Sequence, residues 1–214
     1  MFRSVLAGTM VLALGVVAAY RTTDGFTAFT YESARRLAAT QSPRPLPADL
    51  ALETEGGQRR ALASWPEPLL VVDFVYTGCT TLCVSLGSLY AQLASALAPQ
   101  IARHEVRLLT VSFDLDRDNA AALAAYRRRH APFADGWDIA RPADARELKR
   151  WLDAFGVVVV PDRFGGYVHN AAIAVVGPQR RLLALHDIDG VTAVVESVRA
   201  SAAQYRGAAG VHSD

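Results

Sequence analysis

Two cysteines, Cys79 and Cys83, are the residues of this chain best suited to chemistry. They lie four positions apart, and the 214 residues contain no third cysteine, which excludes a scaffold of several disulfides and a four-cysteine zinc site. They follow the apolar run Leu69 to Tyr76 and precede a helical pattern, and the start of a helix favours the thiolate form of a cysteine. Residues i and i+4 share one helix face, with Cα atoms about 6 Å apart. The pair can therefore close a disulfide or bind a metal ion.

Any further ligand for such a metal would come from the five histidines. Zinc sites usually have four ligands, whereas two thiolates with one further ligand suit copper(I), so the composition favours copper. His169 follows a glycine-containing loop and precedes the strand pattern Ala171 to Val176, at the end of a sheet where strand-helix-strand folds carry their sites. His186 is the competing candidate. The other three histidines are predicted to be solvated: His104, His130 and His212.

A structural disulfide between Cys79 and Cys83 is a weaker interpretation. The closed loop would be short, so it would constrain the unfolded chain little.

Strand and helix patterns alternate around these residues. Strands are predicted over 69–76, 106–113, 157–160, 171–176 and 181–185, with a hairpin around 55–57, and helices over 81–98, 118–129, 143–155 and 192–205. Pro99 is expected to end the first of these helices and Gly156 the third. Asp114, Asp116 and Asp118 are predicted to be turn and cap residues, with Asp118 capping the second helix. The alternation predicts an α/β domain.

The N-terminus is predicted to direct export. Residues Val5 to Ala19 are apolar except for Thr9. Residues 1–20 are therefore a membrane anchor or a cleaved signal segment. Arg3 on the N-terminal side predicts that the remainder is translocated. We expect a proline-containing tether over 21–47 that includes a short helix at Tyr31 to Ala39, a folded domain over 48–206 and a tail over 207–214.

Composition excludes several other classes of protein. With 22 basic and 21 acidic residues, the formal net charge of +1 does not supply the basic surface of a nucleic-acid binder. A hydrophobic content of 51% supports a sizeable core rather than a disordered chain.

Four stretches together resemble the Sco/SenC family of copper proteins, membrane-tethered thioredoxin-like domains that help to build the copper centre of cytochrome c oxidase. They are Phe74-Val-Tyr-Thr-Gly-Cys-Thr-Thr-Leu-Cys83, Val111-Ser-Phe-Asp-Leu-Asp-Arg-Asp118, Phe155-Gly-Val157 and Tyr167-Val-His169. The resemblance implies a thioredoxin-like α/β fold, in which helices flank a central mixed β-sheet. It also makes Cys79, Cys83 and His169 the ligands of one copper ion, as Cu(I) or Cu(II).

The function that the resemblance implies is a metallochaperone. It would pass copper to the copper-containing subunit of cytochrome c oxidase or to another copper chaperone. Its domain would face the periplasm from the inner membrane, or be soluble in the periplasm if the leader is cleaved. The alternative is a thiol-disulfide oxidoreductase in which Cys79 attacks and Cys83 resolves, reducing the cysteines of the copper-site apoprotein. Only the chaperone needs His169, and the second cysteine disfavours a peroxide-reducing enzyme.

The sequence departs from the family at three positions. Prolines that are common after each cysteine and after the aspartate are replaced by Thr80, Val84 and Leu115. The ligands are retained, and we expect a less rigid cysteine loop.

Asp73 is similar in position to the buried acid of thioredoxin, six residues before the first cysteine. Burial in an apolar strand would raise the pKa of its carboxyl and make it a proton acceptor for Cys83 during disulfide exchange. The other interpretation is an acid at the end of the sheet that is satisfied by a backbone or hydroxyl partner.

Overall fold

The structure is a computed structural model that describes residues 2–79, 82–130 and 135–210, with side chains described except at 2–5, 82–85 and 208–210. The helices are α1 (Phe2–Thr22), α2 (Tyr31–Gln41), α3 (Leu82–Ala96), α4 (Ala98–Ala102), α5 (Ala120–His130), α6 (Ala145–Phe155) and α7 (Val191–Gly210). The strands are β1 (Arg44–Pro45), β2 (Ala51–Thr54), β3 (Arg59–Ala61), β4 (Leu69–Val75), β5 (Val106–Ser112), β6 (Trp137–Arg141), β7 (Val159–Pro161), β8 (Tyr167–His169), β9 (Ile173–Val176) and β10 (Arg181–His186).

A mixed sheet forms the centre of the described residues. Its strand order is β1-β10-β9-β4-β5-β6-β2-β3, and β7 pairs separately with β8. Strands β4, β5 and β6 run parallel, whereas β9 pairs with β4 in the antiparallel direction. Every residue of β4 is buried, as expected for a central strand covered on both faces. The carboxyl ends of β4 and β5 therefore lie side by side at one edge of the sheet.

Helices cover both faces of this sheet. Side chains alternate along β4, so Asp73 and Phe74 lie on opposite faces. Phe74 packs against Trp151 of α6, with ring centroids 6.4 Å apart. On the other face, Tyr90 of α3 packs against Trp137 of β6 at 5.5 Å. The predicted mixed sheet with flanking helices is confirmed.

Individual elements agree with the prediction where the local signal is strong. The predicted β4, β5 and α6 are present, and Gly156 ends α6 in the left-handed conformation with φ of 66°. The hairpin of β2 and β3 is also present. Pro99, however, lies in the first turn of α4 and does not end α3. Proline is tolerated in a first turn because the backbone N–H that it lacks would have no acceptor within the helix.

Asp118 does not cap α5, in contrast to the prediction. The cap is its neighbour Asn119, whose Oδ1 accepts a hydrogen bond of 3.0 Å from the N–H of Ala122. Asp118 is fully buried instead, and its carboxylate binds the loop that follows β4. Asparagine and aspartate are both favoured at helix N-caps, so residue type alone does not separate these two neighbours.

Part of the segment predicted as a tether is folded against the sheet. The short helix predicted in this segment is present as α2, which begins at a capping box of Thr30 and Ser33 and packs on β10. Strand β1 extends the sheet by pairing with β10. Polar side chains fix this arrangement, including an ion pair between Arg36 and Asp187.

For α1, the anchor or signal assignment stays a prediction. Within the part of the chain that the structure describes, no helix is long and apolar enough to cross a membrane.

Candidate metal centre

The loop that carries Cys79 follows directly from the carboxyl end of β4. The N–H of Cys79 donates to the carbonyl of Tyr76 across a tight turn, at 3.2 Å, and the Cys79 side chain is buried. Cys83 belongs to the first turn of α3, at the predicted handover from strand to helix. The Cys83 side chain lies outside the described part of the chain, and so does Thr80.

A buried carboxylate holds this loop to β5. Asp118 accepts hydrogen bonds from the backbone N–H of Thr77 at 2.8 Å, from the Thr77 hydroxyl at 2.5 Å and from the Ser112 hydroxyl at 2.5 Å. Hydrogen bonds to a charged acceptor are stronger than neutral ones, and together they offset the cost of burying the charge. The backbone immediately before Cys79 is therefore fixed relative to the end of β5.

His169 lies on a separate two-stranded hairpin. In the register of β7 and β8, Val159 faces His169 and Pro161 faces Tyr167. Asp162 shapes the connecting turn, since its Oδ1 accepts hydrogen bonds from the N–H groups of Phe164 at 2.7 Å and Gly166 at 2.8 Å. This turn brings the strand with His169 back against the domain.

The His169 ring is half-buried, and its two nitrogens have no hydrogen-bond partner among the described residues. Both ring nitrogens are inaccessible to solvent, and neither bonds to any described group. The ring packs edge-on against Phe113, with centroids 5.0 Å apart. Desolvation lowers the pKa of His169 to about 4, so the imidazole is neutral at physiological pH. A neutral imidazole with unpaired nitrogens fits the requirements of a metal ligand.

Aromatic rings join the hairpin to the cysteine loop. Tyr76, Phe113 and Tyr167 contact one another, with centroid distances between 5.2 and 5.6 Å. Tyr76 precedes Cys79 by three residues and Tyr167 precedes His169 by two. The structure therefore brings Cys79 and His169 to the same end of the sheet.

Arg117 strengthens the same connection. Its Nε donates to Asp114 at 2.5 Å, its Nη1 donates to the carbonyl of Gly165 at 2.6 Å, and its guanidinium lies 5.4 Å from the Tyr167 ring centre. Residues 114–118 thus contact both the cysteine loop, through Asp118, and the hairpin, through Arg117. The motif that contains Arg117 and Asp118 was visible in the sequence, but these bracing contacts were not.

A complete ligand set is not visible in the described side chains. Among them, no three histidine, cysteine or carboxylate groups are close enough to hold a metal ion. Cys83 is outside that set, so the three-ligand site of Cys79, Cys83 and His169 stays a prediction.

Asp73 lies apart from His169, in the buried layer between β4 and α3. Its register partner is Thr110, and it interacts with Tyr90 of α3. Desolvation raises the pKa of Asp73 to about 7, although Thr110 and Tyr90 oppose this effect. Neither carboxyl oxygen forms a hydrogen bond of normal geometry with a described residue. The raised pKa agrees with the first interpretation and the neighbouring hydroxyl groups of Thr110 and Tyr90 agree with the second, so both interpretations of Asp73 stay predictions.

The remaining histidines are not alike. His104 is exposed, as predicted. His130 is half-buried instead, because its ring packs on Tyr126 and lies against Gly87 of α3. His186 ends β10, where burial and the nearby Arg36 lower the pKa of its ring. His212 lies outside the described residues.

Comparison with known proteins identifies a family. The family model described as SCO1/SenC matches residues 39–203. Among curated proteins, the chain is 23% identical over 141 residues to the SCO1 protein homolog of Bacillus subtilis (strain 168), covering 65% of this chain and 71% of that protein.

Solved structures have the same architecture. A SCO1/SenC family lipoprotein from Bacillus anthracis str. Ames matches with a TM-score of 0.68 and 16% identity, over 77% of this chain and 99% of that one. Copper-bound ScoI from Arabidopsis thaliana matches with a TM-score of 0.60 and 17% identity, over 74% of this chain and 97% of that one. BsSco matches with a TM-score of 0.62 and 20% identity, over 76% of this chain and 98% of that one. That protein is described as having a disulfide switch and as a member of the Sco family of cytochrome c oxidase assembly proteins. These likenesses confirm the thioredoxin-like fold.

Replacing Asp118 tests whether its hydrogen bonds stabilise the loop that carries Cys79. In Asp118→Asn, the acceptor loses its charge, so the hydrogen bonds that Thr77 and Ser112 donate to it lose their charge assistance. We expect the free energy of unfolding to fall by about 2–3 kcal/mol, measured by urea denaturation of the reduced protein. Asp116→Asn is the control, because Asp116 is exposed in the same stretch, and its effect should stay within about 0.5 kcal/mol. Equal changes in the free energy of unfolding for the two variants would contradict a stabilising role of the Asp118 hydrogen bonds.

The buried Asp73 predicts a pH dependence of stability. The folded protein keeps the Asp73 proton up to about pH 7, whereas an ordinary aspartate loses it near 3.8. Between these values the folded state binds more protons than the unfolded state, so stability falls as pH rises. Asp73→Asn should remove this fall. Between pH 4 and 8 its free energy of unfolding should therefore rise relative to that of the parent, by at most ~4 kcal/mol. His169 titrates in both proteins, so its contribution cancels in the difference between their free energies of unfolding. A constant difference across the range would argue against a buried, protonated Asp73.

Proposed function

The chain belongs to the SCO1/SenC family, and on that premise we propose that it is a copper-binding protein of cytochrome c oxidase assembly. One copper ion is held by the thiolates of Cys79 and Cys83 and by the imidazole of His169. The observation that carries the proposal is the neutral His169 ring at the end of the sheet that bears Cys79: both of its nitrogens are buried and have no hydrogen-bond partner among the described residues.

The donor set suits copper in either oxidation state. Soft thiolates favour Cu(I), and imidazole binds both Cu(I) and Cu(II). A related protein of the same fold, ScoI from Arabidopsis thaliana, has been solved with copper bound. In this chain the copper is cargo, so the site must also release it.

Release requires that an incoming ligand reach the site. The hairpin carrying His169 is joined to the domain by side chains from Arg117 and the aromatic cluster of Tyr76, Phe113 and Tyr167, rather than by strands of the main sheet. A displacement of this hairpin would remove one ligand and leave two thiolates, to which a partner's ligands can add in turn. The partner is the copper-containing subunit of cytochrome c oxidase or another copper chaperone.

A thiol-disulfide oxidoreductase is the second candidate, and Asp73 favours it. The Cys79 thiolate attacks a disulfide of the target, forming a mixed disulfide and releasing one target thiolate. Cys83 then attacks Cys79, giving the second target thiol and a Cys79–Cys83 disulfide, so the target gains the two electrons that this pair loses. A carboxyl with a pKa of about 7 can take the proton that Cys83 must lose.

Location follows from the N-terminal segment. We propose that the apolar residues 5–19 direct export and that the domain works on the periplasmic face of the inner membrane, or free in the periplasm after cleavage. The similar protein from Bacillus anthracis is described as a lipoprotein, which also supports export.

A copper titration tests the ligand set. The reduced full-length protein should bind one equivalent of copper and show thiolate-to-copper charge-transfer absorption. His169→Ala removes one of three ligands, and we expect its affinity to fall at least about tenfold, since even residues behind the ligands contribute that much. Affinity is measured by competition with a chelator of known strength.

His104→Ala is the matched control, because that imidazole is exposed and lies just before β5, at the opposite end of that strand from Ser112 and the cysteine loop. It should bind copper like the parent. Unchanged binding by His169→Ala would remove His169 from the site. Failure of the parent to bind copper, together with ready cycling of the Cys79–Cys83 disulfide, would leave the oxidoreductase.

A further inference from the structure

Helix α2 reaches the hairpin of the candidate metal centre although most of it lies outside the family match. The match begins at residue 39, whereas α2 spans Tyr31–Gln41. From α2, Glu32 contacts Asn170, the residue that follows His169. A helix from the N-terminal part of the chain thus touches the strand that carries a proposed ligand.

Asn170 closes the base of the hairpin. Its side-chain oxygen accepts a hydrogen bond of 2.7 Å from the N–H of Val158, and its own N–H donates to the carbonyl of Val158 at 3.3 Å. Its amide Nδ2 donates to the carbonyl of Gly156, at the end of α6, at 3.1 Å. The rotamer of Asn170 therefore determines how β7 and β8 leave the domain.

Glu32 holds that rotamer. Its Oε2 accepts the second hydrogen bond of the Asn170 amide, at 3.2 Å. Glu32 is itself fixed by Arg35, whose Nε contacts both carboxylate oxygens at 3.1 Å. Burial alone would raise the pKa of Glu32, but Arg35, Asn170 and Arg36 outweigh it and lower the pKa, so the carboxylate is charged.

Helix α2 is itself anchored to the domain on two sides. Arg35 donates from Nη1 to the carbonyl of Phe155 at 2.9 Å, which ties α2 to the end of α6. Arg36 pairs with Asp187 just after β10, with one contact of 3.1 Å. Because one anchor is at the end of α6 and the other follows a strand of the main sheet, these contacts hold Glu32 in place beside Asn170.

We propose that Glu32 is a positioning residue for His169. By holding the Asn170 amide, it fixes the base of the β7–β8 hairpin and so places the imidazole for copper. The inference rests on the proposed copper function. Helix α2 lies in the segment that the sequence assigns to a tether. The inference gives this helix a role in positioning a ligand of the metal centre.

The test compares three substitutions in the full-length protein. Glu32→Ala removes the acceptor for Asn170, and we expect the affinity for Cu(I) to fall by about tenfold. Glu32→Gln keeps an acceptor oxygen for Asn170 and should restore affinity to within about threefold of the parent. Asp187→Asn weakens the other anchor of α2, because it removes the charge that pairs with Arg36, and it does not touch Asn170; its affinity should also stay within about threefold.

A second readout does not need copper. The N–H of Val158 is bonded to the Asn170 side chain, so its hydrogen exchange in the metal-free protein reports the closed hairpin base. Exchange at Val158 should rise at least about tenfold in Glu32→Ala and remain near the parent rate in Glu32→Gln and Asp187→Asn.

The outcomes separate the inference from the proposed function. If the parent binds no copper, the proposed function fails, and exchange at Val158 alone decides whether Glu32 holds the hairpin. Equal losses in Glu32→Ala and Asp187→Asn would show a general effect of α2 on stability and overturn the inference. It is also overturned if Glu32→Ala leaves Cu(I) affinity or Val158 exchange unchanged.

Discussion

The buried carboxylate of Asp118 is the constraint on which the arrangement of the site depends. A charge buried without partners costs several kcal/mol, and Asp118 is tolerated because Thr77 and Ser112 donate three hydrogen bonds to it. Satisfying the carboxylate fixes the backbone leading to Cys79 beside the end of β5. The neighbouring Arg117 reaches the hairpin that carries His169, so one short stretch of chain sets the distance between two separately folded elements.

The chemistry of the site follows from what the fold leaves unsatisfied. Most buried polar groups in proteins have hydrogen-bond partners, yet the His169 nitrogens have none among the described residues and the Asp73 oxygens have none of normal geometry there. Burial keeps His169 neutral, which a metal ligand must be, and keeps Asp73 protonated up to about pH 7, which suits proton exchange with a thiol. The two groups lie in different layers of the domain and serve different candidate functions. The copper site needs His169, whereas disulfide exchange needs only the cysteines and a proton acceptor.

The sequence predicted the parts of the fold that local pattern determines. The continuous apolar run of β4, the alternation with α6 and the glycine that ends α6 are all legible without tertiary contacts, and so was the choice of the cysteine pair and His169 as candidates. What it missed depends on contacts between distant residues. The three-residue strand β8 exists because it pairs with β7, Asp118 is drawn from a helix cap to the cysteine loop, and α2 folds against β10 although its surroundings suggest a tether.

X-ray absorption at the copper edge of the reduced, copper-loaded protein tests the central claim most directly, because it counts the atoms around the metal. We predict two sulfur neighbours and one nitrogen neighbour, with the nitrogen lost in His169→Ala while both sulfurs remain. A copper ion with two sulfur neighbours alone in the parent protein, or with nitrogen and oxygen neighbours only, would contradict the assignment of Cys79, Cys83 and His169 as its ligands.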